Sequence, residues 1–449
     1  MRALHDAAAQ AKRTGEPDVA IHRFARIATL LPDAAEPWVE QGLLHADRLA
    51  LAEAEAAYRA ALERDPRHGA AHLYLGLLYE HSGRADALRA LIDAAEARGV
   101  PNAALALLRA HRLRRAGDYR AALAAAEASP LAIEPARRAQ LIGELADRLG
   151  DGATAFAAFG EMNALMARLD PQVDDKARRY RERIEARLAA IPSLVAPPLP
   201  AMDERAPVFL TGLPRSGTTL LDTFLMGHPD VAMLEELPIV QEIEAEVGDR
   251  LMTLDDEEIA ALRARYFDRH AALAGTPAAA CVIDKHPLHI ASLPLIRRLF
   301  PDARLIFIAR HPLDIALSCY TTNFAINAAM ANFLEVGTTA VLCDLLLRCW
   351  TAWRPGFAAV HELRYERLVE APQPALRALL EFLDLRWRPE LLDHRATAAA
   401  RGYIASASYA QVGQAIHARS IGRWRRYRAQ LAPMMPLLVP WVERLGYDL

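Results

Sequence analysis

No apolar run in this chain reaches the length of a bilayer-spanning helix. Hydrophobic residues make up 53% of its 449 residues, but alanine carries much of that share. Residues 1–7 lack the apolar core of a secretory signal. Cysteine is scarce. Cys281, Cys319, Cys343 and Cys349 all lie in the second half with no C-x-x-C spacing, which argues for free thiols in a reducing compartment. Charge of one sign is lacking too: the net value of −3 gives no electrostatic footprint for nucleic acid. The cytoplasm is the expected location, and the length admits two or three domains.

What is present divides into two styles. Residues 1–190 read as amphipathic helices with self-similarity at 34 residues. Trp38, Gly42, Ala54, Tyr58, Ala61 and Pro66 form one unit. Ala20, Phe24 and Pro32 lie one period earlier, and Gly76 and Tyr79 belong to the next unit. Small residues suit a close helix crossing, aromatics fill the groove beside it, and proline ends the second helix of each pair. Later units are degenerate. This pattern resembles tetratricopeptide repeats, which implies an α-helical solenoid of four to five repeats whose concave face recruits a peptide or protein. A spacer or dimerisation platform stands as the alternative.

Residues 191–206 are proline-rich and read as a linker. From 207 to 449 apolar strands alternate with helices. Strands are predicted at 208–211, 280–284, 304–309 and 359–365, and helices at 218–226, 288–300 and from 313 to 320. Unbroken apolar strands separated by helices indicate an α/β domain with a parallel sheet covered by helices. Ligands in such domains bind beyond the carboxyl ends of the strands. Arg215, Asp284 with Lys285, Arg310 and Tyr365 fall at those ends.

One segment lacks a residue that its spacing calls for. Gly212 and Gly217 bracket four residues and are followed by Thr218 and Thr219, as in a phosphate-binding loop. Thr218 stands where the lysine of that loop belongs, and Arg215 lies inside the turn. Backbone N–H groups converging at a helix N-terminus still favour an anion. The usual grip on the β- and γ-phosphates is missing, so the expected ligand is phosphate-like but not a nucleoside triphosphate. The remaining rim candidates, Ser216, Lys285, Arg310 and Ser318, suit a ligand with anionic groups in two places.

The loop 213–219, the pair Arg310 and Ser318, and the segment 419–424 resemble the three nucleotide-binding elements of sulfotransferases, which use 3′-phosphoadenosine 5′-phosphosulfate. The resemblance covers residues 207–427 and is nearest to the tyrosylprotein sulfotransferases. It implies that Arg215, Ser216, Gly217, Thr218 and Thr219 hold the 5′-phosphosulfate and that Arg310 and Ser318 hold the 3′-phosphate. It implies further nucleotide contacts from Tyr365, Arg419, Gly422 and Arg423, the last standing where that subgroup carries lysine. Glu236 matches its catalytic glutamate, Lys285 its catalytic lysine, and Ser408 a serine near the sulfonate. The segment from Tyr403 departs from the pattern. A protein tyrosine, a glycan, a lipid headgroup and a small phenol all stay open as acceptors.

The chemistry is compatible with those roles. Sulfuryl transfer, like phosphoryl transfer, is in-line displacement dominated by positioning and electrostatics, and no metal is needed. Several features also have plainer explanations. Glu235 and Glu236 could be an acidic helix start. Asp284 could imitate a magnesium-binding aspartate, but that requires the missing lysine. His286 and His289 have no third metal ligand at useful spacing and fit a rim or packing role. Arg425, Arg426 and Arg428 suit a solvated helix face, and Arg364 and Arg367 suit the surface. A P-loop kinase or NTPase and a non-catalytic repeat scaffold are the rival functions. Oligomeric state is not legible.

Overall fold

The computed structural model describes residues 2–14, 16–194, 206–274, 281–401 and 416–449. They form two compact units that divide at Met162 and Asn163. The predicted boundary near residue 190 lies beyond one more helix, which packs with the second unit.

The first unit is a helical array. Its helices are α1 (Arg2–Arg13), α2 (Pro17–Leu30), α3 (Glu36–Asp47), α4 (Leu51–Arg64), α5 (Gly69–His81), α6 (Ala85–Ala97), α7 (Asn102–Ala116), α8 (Tyr119–Glu127), α9 (Pro135–Arg148) and α10 (Gly152–Ala167). From α1 to α9 each packs on its neighbours in sequence, and α5 also touches α3 and α7, the first helices of the adjoining pairs. The starts of α3, α5, α7 and α9 recur every 33 residues. The later pairs, degenerate in sequence, thus recur as regularly as the earlier ones, at 33 residues where the sequence motif repeats at 34. Close crossing explains the small residues. A Cβ at Gly42 would lie 2.3 Å from the ring of Tyr58, and one at Gly143 would lie 2.7 Å from the ring of Phe159. Tyr58 and Phe159 are themselves buried, so each glycine makes room for an aromatic side chain of its own pair.

The second unit opens with α11 (Val173–Ala190). Arg187 Nη1 bonds Glu244 Oε1 at 2.5 Å and the Ala291 carbonyl at 3.0 Å, and Trp353 Nε1 donates to the Ile191 carbonyl at 2.8 Å. Five strands follow: β1 (Val208–Gly212), β2 (Val231–Glu235), β3 (Cys281–Lys285), β4 (Arg304–Ala309) and β5 (Val360–Arg364). All pairings are parallel, in the order β2-β3-β1-β4-β5. The helices of this unit are α12 (Thr218–Leu225), α13 (Ile239–Val247), α14 (Asp256–Ala274), α15 (Leu293–Leu299), α16 (Pro312–Tyr320), α17 (Val336–Trp353), α18 (Tyr365–Glu370), α19 (Pro372–Phe382), α20 (His394–Arg401) and α21 (Met435–Arg444).

Every residue of β1 is buried. Phe209 packs among Tyr266, His289 and Phe300 on one face, while Val208 and Leu210 join Leu221, Phe224 and Leu379 on the other. This two-sided burial is why the central strands read as continuous apolar runs. β2 was not anticipated. It is an edge strand in which only Leu234 is fully buried, and its apolar run stops after four residues, between Asp230 and the Glu235–Glu236 pair. The helix predicted over 288–300 is two pieces, a 3₁₀ turn at Pro287–Ala291 and then α15. Pro294 fits the first turn of α15 but has no N–H to continue a longer ladder.

Candidate active site at the carboxyl edge of the sheet

β1 lies between β3 and β4, so successive connections leave the sheet on opposite sides of it. A crevice opens at such a switch point beyond the carboxyl ends. The loop after β1 stands there. Gly212 has no space for a Cβ, which would meet the Ile308 carbonyl oxygen at 2.9 Å. Arg215 (φ 69°) and Gly217 (φ 112°) adopt left-handed backbone and turn the chain into α12. For Arg215 this conformation costs about 1–2 kcal/mol.

Arg215 is the hub of one half of the site. Its Nε donates to Ser318 Oγ at 3.2 Å, and its carbonyl accepts from Arg310 Nη1 at 2.8 Å. Burial, reinforced by the nearby Arg310 charge, pushes its guanidinium down to about 10, still protonated at neutral pH. Arg310 also donates to the Ser420 carbonyl at 2.7 Å and lies over the Tyr365 ring at 4.6 Å. Tyr365 shares a 2.8 Å hydrogen bond with Ser420 Oγ. Arg310 and Ser318 thus meet through Arg215 rather than as an isolated pair.

The segment around Gly422 is fastened by a residue that the sequence analysis did not single out. Asp314, in the first turn of α16, accepts from the N–H groups of Gly422 at 2.6 Å and Trp424 at 2.9 Å. Gly422 is left-handed (φ 68°), which turns both amides toward that carboxylate. Arg423 Nη1 reaches Thr321 Oγ1 at 3.3 Å. Arg419 lies beside Ser420 and is exposed. Ser408 falls outside the described residues.

Lys285 is the hub of the other half. It ends β3 in register with Leu210 and Glu235, and its side chain is fully buried. Nζ lies 2.9 Å from Glu236 Oε1, 3.0 Å from Asp222 Oδ2 and 3.4 Å from Glu235 Oε1. Burial works to lower its affinity for the proton, but the three carboxylates outweigh burial and hold the ammonium above its ordinary range. Glu235 and Glu236 do not start a helix: Glu235 ends β2, and Glu236 follows in left-handed backbone (φ 51°). Sequence reasoning missed Asp222. The available signal was the one charged residue of an otherwise uncharged helix, one turn beyond Thr218.

Asp284 is a packing residue. It accepts from Tyr266 Oη at 2.6 Å and pairs with His289 Nε2 at 3.0 Å on the opposite face from Lys285. No cluster that could hold a metal occurs among the described residues. Burial pushes His286 down to about 4, so it is neutral.

The crevice has the chemistry of an anion site. Thr218 and Thr219 open α12 and are buried. Ser216 Oγ and Arg310 Nε are buried without a hydrogen-bond partner among the described residues. Such atoms are costly unless another group satisfies them. Donors therefore converge on the loop, while a base candidate and an ammonium converge beside it.

An uncharacterised protein of Aquifex aeolicus (strain VF5) is 30% identical over 259 residues, covering 54% of this chain and 33% of its own length. The chain thus spans about a third of that relative. Protein-tyrosine sulfotransferase 1 of Danio rerio is 25% identical over 270 residues, covering 54% of this chain and 72% of its own. Among solved structures, the sulfotransferase domain from the curacin biosynthetic pathway is 21% identical, covering 55% of this chain and 100% of that one, with a TM-score of 0.38. Residues 207–389 match the profile of the Sulfotransferase family, so the second half of this chain carries a sulfotransferase-family domain.

Proposed function

We propose that this chain transfers a sulfonate group from 3′-phosphoadenosine 5′-phosphosulfate to an acceptor hydroxyl. The observation that carries the reading is the juxtaposition at one sheet edge of a lysine-free anion loop and the ion pair between the buried Lys285 and the solvent-accessible Glu236. When bound, the donor nucleotide supplies the sulfonate and a phosphate leaving group. Ser216, Gly217, Thr218, Thr219 and Arg215 are the proposed holders of its 5′ end. Arg310, Ser318, Tyr365, Arg419, Gly422 and Arg423 are the proposed holders of its 3′-phosphate and base. Ser216 Oγ and Arg310 Nε, which have no hydrogen-bond partner among the described residues, favour this fit.

In this reading Glu236 accepts the proton of the acceptor hydroxyl. Lys285 and Arg215, with Ser408, stabilise charge on the departing oxygen. The relative in Danio rerio is named for protein tyrosine, and tyrosine of a peptide recruited by the repeat array is the acceptor we favour. Recruitment would raise the local concentration of a poorly bound acceptor. The four cysteines are buried free thiols, which suits a reducing cytoplasm.

The test is calorimetric titration with adenosine 3′,5′-bisphosphate in the absence of magnesium, with ATP and Arg310→Ala as controls. Binding that needs the 3′-phosphate and weakens at least tenfold in the variant is expected. Binding of ATP only with magnesium would replace this reading by an NTPase. A peptide carrying tyrosine and a simple phenol, compared in the presence and absence of residues 1–162, then test acceptor and recruitment.

A further inference from the structure

We infer that Asp222 is a positioning residue that holds the Lys285 ammonium at the strand ends from the side of α12. The inference rests on the sulfonate-transfer reading above. Three carboxylates surround this one ammonium, but they are not equivalent. Glu235 and Glu236 belong to the edge strand and the turn after it, with side chains 23% and 39% exposed. Asp222 is wholly buried and lies one turn inside the helix that the anion loop opens. Its Oδ2 is 3.0 Å from Lys285 Nζ, and its Oδ1 accepts from Thr223 Oγ1 at 3.2 Å.

Water can screen and replace the two glutamates. It cannot replace Asp222, so Asp222 is the counter-charge that persists when Glu236 takes up a proton. Without it, Lys285 would be left to the two glutamates. The ammonium would then bind the Glu236 carboxylate more exclusively, which makes that carboxylate a weaker base. A buried ion pair is not needed for stability, since apolar side chains fill such space as well. Its presence next to the reacting groups therefore points to use of the charge. The retained charge also keeps Lys285 protonated throughout the proton transfer.

Asp222→Asn keeps the shape and removes the charge. Turnover is read as hydrolysis of 3′-phosphoadenosine 5′-phosphosulfate and transfer to a simple phenol across pH. We expect kcat to fall about tenfold, the KM for the phenol to hold, and the acid limb of the kcat profile to move down by ~0.5 pH unit or more. A packing role alone would not move that limb. In parallel, urea unfolding of Asp222→Asn, Lys285→Met and the double variant forms a cycle. Asp222→Asn is expected to destabilise the wild type and to cost clearly less in the Lys285→Met protein, where the ammonium it pairs with is already gone. Additive effects in the cycle would overturn the pairing. Coupling with an unchanged kcat profile would overturn the positioning role. If the wild type itself turns over no donor, the sulfonate-transfer reading fails and takes this role with it; a failure confined to the variant's predicted changes leaves that reading intact.

Discussion

Glu236 and Lys285 hold each other twice. The Glu236 N–H donates to the Lys285 carbonyl at 2.7 Å, and the Lys285 ammonium donates to Glu236 Oε1 at 2.9 Å. The backbone contact continues the β2–β3 ladder by one residue and holds Glu236 in left-handed backbone (φ 51°). A glutamate gains nothing from that conformation by itself, which costs about 1–2 kcal/mol. Strain of this kind persists where the surroundings fix a side chain in one place. The side chain fixed here is the proposed base, still 39% exposed.

Glu236→Gln therefore separates base from scaffold. Glutamine can occupy the same backbone and keep an oxygen toward Lys285, but it cannot accept a proton. Turnover is expected to fall ~100-fold or more. Affinity for adenosine 3′,5′-bisphosphate should stay within about threefold, because the proposed nucleotide contacts lie on the other half of the site. Loss of turnover under tenfold would move the base elsewhere, with Glu235 next in line.

Gly217 ties the loop to Tyr365. A Cβ at this position would lie 2.4 Å from Tyr365 Cδ2, and its φ of 112° is unsuited to any side chain. Gly217→Ala must displace the ring that covers Arg310 and bonds Ser420. Bisphosphate affinity is expected to drop by about tenfold or more, with near-native far-UV circular dichroism. Unchanged affinity would show that Tyr365 does not shape the nucleotide site.

Legibility of this chain in its sequence followed burial. The anion loop was readable because Gly212, Gly217, Thr218 and Thr219 keep a spacing that backbone geometry dictates. β1, β3 and β4 were readable because two-sided burial leaves apolar runs. β2 was not, since its four apolar residues are hemmed between a His-Pro-Asp turn and two glutamates and leave only a short run. Lys285 could be placed at a strand end, but its buried partner Asp222 could not. Residues 63 positions apart meet only through the parallel register of the sheet and the helix laid across it. The packing of α11 was hidden for a related reason. An amphipathic helix shows that it has a partner, not which partner it has.

That ambiguity gives a test by truncation. α11 places Arg187 on Glu244 and Arg181 on Asn332, and the residue after it accepts from Trp353. Glu244 is half-buried, and that burial raises its carboxyl above the usual range despite Arg187. Removing α11 would leave it without that cation. A protein starting at Asn163 is expected to unfold cooperatively and bind adenosine 3′,5′-bisphosphate, whereas one starting at Ile191 is expected to aggregate. Equal thermal stability of the two would contradict the assignment of α11 to the second unit.

The first unit carries its own pH dependence. His111 and His81 sit beside the buried Glu80, which is paired with Arg114 at 2.8 Å and Arg115 at 2.6 Å. His111 Nδ1 is 3.8 Å from Glu80, and Arg137 Nη1 is 3.2 Å from His81 Nε2. Burial first, then the neighbouring arginines, pushes His81 down to about 4 and His111 down to about 3. Both values lie below the ~6.5 of an unfolded histidine, so the unfolded chain binds protons more readily. The stabilisation is complete above pH ~6.5 and is lost as pH falls toward the folded values, by about 1.4 kcal/mol for each unit of difference fully traversed. Urea unfolding of the full chain should show its earliest loss in α5 and α7 between pH 6.5 and 4.5, read by hydrogen exchange corrected for intrinsic rate. His111→Leu removes one of the two protonation sites and should flatten that loss. An identical pH slope in the variant would place the acid sensitivity outside this pair.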